Sequence, residues 1–151
     1  MVFRGHLPSS ATIHPLVMLH PVVLSVEDDD GGYVVLRELL GETHPEVRLE
    51  RARDGSEALA TLKMLAADTA VQVRLVLLDL RLPGMSGMEV LAAIRGDQSF
   101  RQIPIVILTG KAREADRILC LENGAQGYFE KPWDLQGLEA VIRAACATAG
   151  L

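Results

Sequence analysis

Residues 74–87 read RLVLLDLRLPGMSG. Four aliphatic residues, Leu75 to Leu78, run without alternation, as in a short parallel strand covered on both faces. The run stops at Asp79, a carboxylate placed where such a strand ends. LPGMSG (82–87) reads as a loop. Ser86 followed by Glu89 has the spacing of a capping box, so a helix starts there with Leu91 and Ile94 inward. Strand, loop and helix form a unit that recurs on either side.

Upstream, VVLSV (22–26) is a second such strand. Four carboxylates, Glu27 to Asp30, follow it, and helical pattern covers about Tyr33 to Leu40. VRLERA (47–52) alternates Val47 and Leu49 with charged residues, which suits a half-buried edge strand. Asp54-Gly55 marks a turn. Ser56 is placed to cap the next helix, whose Leu59, Leu62 and Leu65 share one face. Downstream, IPIVILT (103–109) is a fourth strand, and a helix over about 112–122 stops at Asn123-Gly124. AQGYF (125–129) is a short fifth strand. Asp134 caps a last helix with Leu138, Val141, Ile142 and Ala145 inward. Five strands, each followed by a helix, predict an α/β fold with a five-stranded parallel sheet and helices on both faces.

The 151 residues suit one domain with one sizeable core, and 49% hydrophobic with 23% charged residues is globular composition. A net charge of −5 argues against direct nucleic-acid binding, which needs a basic footprint. Cys120 and Cys146 form no CxxC pair and read as buried free thiols of a reducing, cytoplasmic setting. Residues 1–20 carry Pro8 and Pro15, just ahead of Pro21, and no clean period, and read as a flexible extension to a domain over 21–151. Their apolar runs are too short for a membrane span or a signal peptide. A start at Met18 fits the same pattern.

In parallel α/β sheets, ligands bind beyond the carboxyl ends of the strands. At that rim the predicted strands place Glu27-Asp28, Asp79, Thr109 and, just past the fifth, Lys131-Pro132. Several carboxylates with a phosphate oxygen make an oxygen-only site suited to magnesium. Asp29 and Asp30 are better placed to be solvated or to cap the following helix, whose dipole favours negative charge at its start.

These residues resemble the response-regulator receiver domain of two-component phosphorelay signalling. Glu27-Asp28, Asp79 in LLDLRLPGMSG, Thr109 in ILTG, Tyr128 and Lys131-Pro132 carry the resemblance, over roughly residues 21–147. It implies the (βα)5 flavodoxin-like fold, with strand order 2-1-3-4-5 as in a chemotaxis receiver. It implies that Asp79 is the phosphoacceptor of a phosphoprotein, served by a sensor histidine kinase or a hybrid kinase. Glu27, Asp28, Asp79 and the backbone carbonyl of Arg81 would hold Mg2+. Lys131 and Thr109 would contact the phosphoryl group, and Tyr128 would be the switch aromatic. The family's Lys-Pro peptide is commonly cis, and Arg81 and Lys111 occupy positions that tune phosphoryl lifetime.

The expected function is therefore a single-domain response regulator that switches a protein-interaction face. It would not be an enzyme beyond slow autodephosphorylation. No output domain is expected after the last helix, so a downstream protein would be the target, with no nucleic-acid or membrane partner. Other readings stay open at this point. A degenerate receiver would act as a phosphorylation-independent interaction module. An aspartate-nucleophile phosphatase would want a second aspartate where Arg81 stands. Tyr128 suits plain core packing as well as switching, Trp133 a loop cover or a partner contact, and the tail VIRAACATAGL a core or a homodimer seam.

Overall fold

The structure, a computed structural model, describes residues 18–151. The proposed extension over 1–20 therefore lies almost entirely outside the described residues. Strands β1 (His20–Val26), β2 (Arg48–Ala52), β3 (Val71–Leu78), β4 (Ile105–Thr109) and β5 (Gly127–Glu130) alternate with helices. These are α1 (Asp30–Thr43), α2 (Gly55–Ala66), α3 (Gly87–Gly96), α4 (Glu114–Glu122) and α5 (Leu135–Thr148). All four strand pairings are parallel, in the order β2-β1-β3-β4-β5, which is the expected order 2-1-3-4-5. β2 lies at an edge, as its alternating sequence predicted.

The central strands are apolar on both sides because the sheet is covered on both sides. Val23, Leu75, Leu77 and Val106 face α1 and α5, packing with Leu36, Leu40, Ile142 and Cys146. Their neighbours Leu24, Val26, Val76, Leu78, Ile105 and Ile107 face the other way. There they meet Leu62 of α2, Val90, Leu91 and Ile94 of α3, and Cys120 of α4. This is the period of two that a strand imposes. The apolar positions of the C-terminal tail, Ile142, Ala145 and Cys146, are spent in this core. Cys120 and Cys146 are free and buried.

Four helix starts carry side-chain caps. Asp29, Ser86 and Asp134 accept from Gly32, Glu89 and Gly137, as their sequence settings predicted. Asp54 caps α2 by accepting from Glu57, in place of Ser56. Starting the helix two residues earlier puts the carboxylate, a stronger cap than a residue already inside the first turn, at the free N–H groups. β4 begins at Ile105 instead of Ile103, since Pro104 has no N–H to offer the ladder. Its carbonyl still accepts from Val76 at 2.9 Å.

A side chain that the sequence did not flag closes the β4 end of the sheet. Arg95, at the end of α3, donates to the carbonyls of Gly124 (3.0 and 2.9 Å), Ile103 (2.8 Å) and Arg101 (3.1 Å). It also reaches the Gln126 amide oxygen at 3.0 Å, which in turn accepts from the Ile105 N–H at 2.8 Å. One guanidinium thus ties α3, the α4–β5 turn and the start of β4 together.

Candidate functional site: an acidic pocket bridged by lysine

The carboxyl ends of β1 and β3 bring Glu27 and Asp79 side by side. Glu27 N–H donates to the Ala52 carbonyl (2.9 Å) and Asp79 N–H to the Val26 carbonyl (3.1 Å), so each backbone is held by the neighbouring strand. Both carboxylates are nearly buried, with side chains 9% exposed. Glu27, Asp28 and Asp79 each offer an oxygen within 4.8 Å of the others. Asp28 is the exposed member of the three.

Lys131, just past β5, closes the pocket. Its Nζ donates to Glu27 Oε2 at 2.5 Å and to Asp79 Oδ2 at 3.1 Å. The second oxygen of Asp79 accepts from the Arg81 N–H at 3.0 Å. Burial raises the pKa of Glu27 above the usual carboxylate value, outweighing the attraction of Lys131, and the charge of Asp79 adds to the rise. Burial opposes the ammonium of Lys131. The Glu27 hydrogen bond and the charges of Asp79 and Glu27 together outweigh that and hold its pKa above the usual value. One lysine therefore offsets the repulsion between two carboxylates. The Lys131–Pro132 peptide is trans, contrary to the expected cis form, as are all peptides among the described residues. Trans is the lower-energy isomer by about 0.5–1 kcal/mol, and the lysine reaches both carboxylates from it.

A cavity of about 270 Å3 opens beside these charges, between α1 and the start of α5. Glu27, Asp79 and Lys131 form its polar part, and Val35, Leu36, Leu77, Leu108 and Leu138 its apolar part. Trp133 stands at its rim with its ring wholly in solvent, so it does not act as a loop cover. Thr109 is buried at the end of β4 but lines a different depression, with Arg81, Met88, Lys111, Arg113 and Asp116. The carboxylates and Lys131 thus share one cavity, while Thr109 and the cations Arg81, Lys111 and Arg113 line the next. Tyr128 is half-buried, packs against the core on the α3 and α4 side, and accepts from the Arg113 N–H at 3.2 Å.

Gly87 is a functional position that the sequence reading passed over. A Cβ there would lie 2.3 Å from the Asp79 carbonyl oxygen and 2.5 Å from Leu80 Cα. Only glycine lets α3 start directly against the Asp79 backbone. The signal was the glycine following the capping serine in MSG.

A doubly covered parallel sheet with a lysine-bridged acid pocket at its carboxyl edge defines a flavodoxin-like α/β domain. The chain belongs to the response regulator receiver domain family, whose sequence model matches residues 23–143. It is 36% identical over 122 residues to hybrid signal transduction histidine kinase D of Dictyostelium discoideum, covering 81% of this chain but only 7% of that kinase. Among solved structures it is similar to the Mn2+-bound form of response regulator Rcp1, at TM-score 0.71 and 32% identity over 82% of this chain and 89% of that one. The phosphorylated cyanobacterial phytochrome response regulator RcpA gives TM-score 0.74 at 30% identity, over 83% of this chain and 90% of that one. No described helix is long and apolar enough to cross a membrane.

Proposed function

We propose that Asp79 accepts a phosphoryl group from the histidine of a sensor or hybrid kinase, with Mg2+ bound at the acid pocket. The observation that carries this reading is Asp79 itself, nearly buried and flanked by Lys131 and two further carboxylates. The donor set fits the ion, being all oxygen and close enough to converge on one hard cation. Glu27, Asp28, Asp79 and the Arg81 carbonyl would hold it, and when bound it neutralises charge on the phosphoryl oxygens. The similarity to the Mn2+-bound form of Rcp1 and to phosphorylated RcpA favours the same reading.

In the transfer, an Asp79 carboxylate oxygen attacks phosphorus while the P–N bond to the donor histidine breaks. The product is an acyl phosphate on Asp79 and a free imidazole. Such transfer depends on positioning and charge neutralisation. Lys131, already 3.1 Å from Asp79, supplies a cation to the phosphoryl oxygens, and Thr109 supplies a hydroxyl. Hydrolysis of the acyl phosphate would be slow, its rate tuned by Arg81 and Lys111, which line the adjoining depression with Thr109. Tyr128, tied to the start of α4, links the site to the face formed by α4 and β5, which meets a downstream protein. Free buried thiols suit a cytoplasmic setting.

The test is phosphorylation by acetyl phosphate, read by intact-protein mass, with Mg2+ or with EDTA, on wild type and Asp79→Asn. The reading predicts one phosphoryl group that depends on Mg2+ and on Asp79. A wild-type chain that takes no label under any condition would favour a phosphorylation-independent interaction module.

A further inference from the structure

Arg51, on β2, sits beside the acid pocket without belonging to it. Its Nε donates to the Glu27 backbone carbonyl at 3.1 Å, and its Nη1 to Asp30 Oδ1 at 2.8 Å. The guanidinium lies over the Tyr33 ring, 4.7 Å from its centroid. The remaining nitrogen, Nη2, is enclosed and is the one buried side-chain polar atom among the described residues without a partner. Leaving a buried donor unpaired is costly, so this arginine is held where its other three contacts put it. Those contacts span the loop from Glu27 to the first turn of α1. Arg53 grips the same Asp30 oxygen at 2.8 Å, and the two arginines hold the Asp30 pKa below its usual value.

We infer that Arg51 is a positioning residue for the cation site, fixing the backbone of Glu27 and the start of α1 so that the Glu27 and Asp28 carboxylates converge with Asp79. This inference rests on the proposed Mg2+ site. Groups that orient metal ligands from outside commonly change metal affinity by about 10–100-fold when removed. The charge effect runs the other way, because removing a nearby cation would strengthen cation binding. A double variant, Asp30→Asn with Arg51→Met, removes one charge of each sign and leaves the positional effect.

The experiment titrates Mg2+ alone into the 15N-labelled full chain and follows the amide shifts of residues 27–30. Unfolding midpoints are measured alongside. We expect wild type to bind, the double variant to bind on the order of tenfold more weakly, and Arg51→Lys to fall between. Arg51→Lys keeps the ion pair but cannot make both bonds from one rigid fork, and it serves if the double variant does not fold. A purely structural arginine would lower the unfolding midpoint and leave Mg2+ affinity unchanged. Wild-type affinity in a folded double variant, or in Arg51→Lys if the double variant does not fold, overturns the inference while sparing the cation site. Absence of Mg2+ binding by wild type overturns the site and the inference with it.

Discussion

Gly87→Ala isolates the link between packing and chemistry. The new Cβ would sit 2.3 Å from the Asp79 carbonyl oxygen, where ordinary contact begins near 3.4 Å. About 1 Å must be found, and the obstructing atoms are backbone atoms of Asp79 and Leu80, so no side chain can swing aside. Pushing α3 off the end of β3 strains the Gly87 N–H bond to the Leu80 carbonyl, now 3.1 Å. Overpacking of this kind costs about 1–3 kcal/mol. Because Asp79 itself is displaced, phosphorylation should slow further, by on the order of 100-fold for a misplacement of about 1 Å. Urea unfolding gives the first quantity, and the initial rate of acetyl phosphate labelling gives the second. An alanine variant with wild-type stability and rate would refute the reasoning. Lost stability with a normal rate would show that α3 can move without carrying Asp79.

Other perturbations read other parts of the structure. Lys131→Met leaves Glu27 and Asp79 facing each other without a cation. Unpairing a buried charge costs about 3–5 kcal/mol, and access of water to the lysine, 26% exposed, brings the expected loss to about 2 kcal/mol in EDTA. Mg2+ should recover part of it in urea unfolding, and a variant as stable as wild type in EDTA would contradict the bridging role. Arg95→Ala strands several carbonyls and should cost about 2–4 kcal/mol by the same assay, with little change at the Asp79 amide in NMR spectra. Burial, with the charge of Glu46, lifts the Cys146 thiol from 9.0 to about 11. The unfolded chain then ionises first, so this contribution to stability is complete below pH 9 and is lost as pH rises from 9 through about 11. Denaturant midpoints across that range should fall less for Cys146→Ala, and native thiols should resist alkylation until the chain unfolds.

The sheet was readable because each central strand carries a mostly apolar run toward its carboxyl end, and because Ser86, Asp134 and Asn123-Gly124 act locally. The acids were readable because Glu27, Asp28 and Asp79 sit where such runs stop. What escaped depended on partners distant in sequence. Lys131 meets Glu27 across 104 positions, and nothing near either residue announces that pairing. Arg95 looks like any solvated end of a helix, since its partners are mostly backbone carbonyls 6 to 29 residues away. Arg51 shares the face of Val47 and Leu49 in the edge strand, but nothing local announces that its guanidinium lies over Tyr33 and reaches the acid loop. The choice of Asp54 over Ser56 as cap turned on where the first turn begins, which local sequence leaves open by a residue or two.

The central claim is that the phosphoryl group rests on Asp79. Reduction of the acetyl phosphate-treated chain with borohydride converts an aspartyl phosphate to homoserine, which peptide sequencing by mass spectrometry then locates. The account predicts that conversion at position 79 alone, present with Mg2+ and absent with EDTA. Conversion at Asp28 or elsewhere, with position 79 intact, would contradict it.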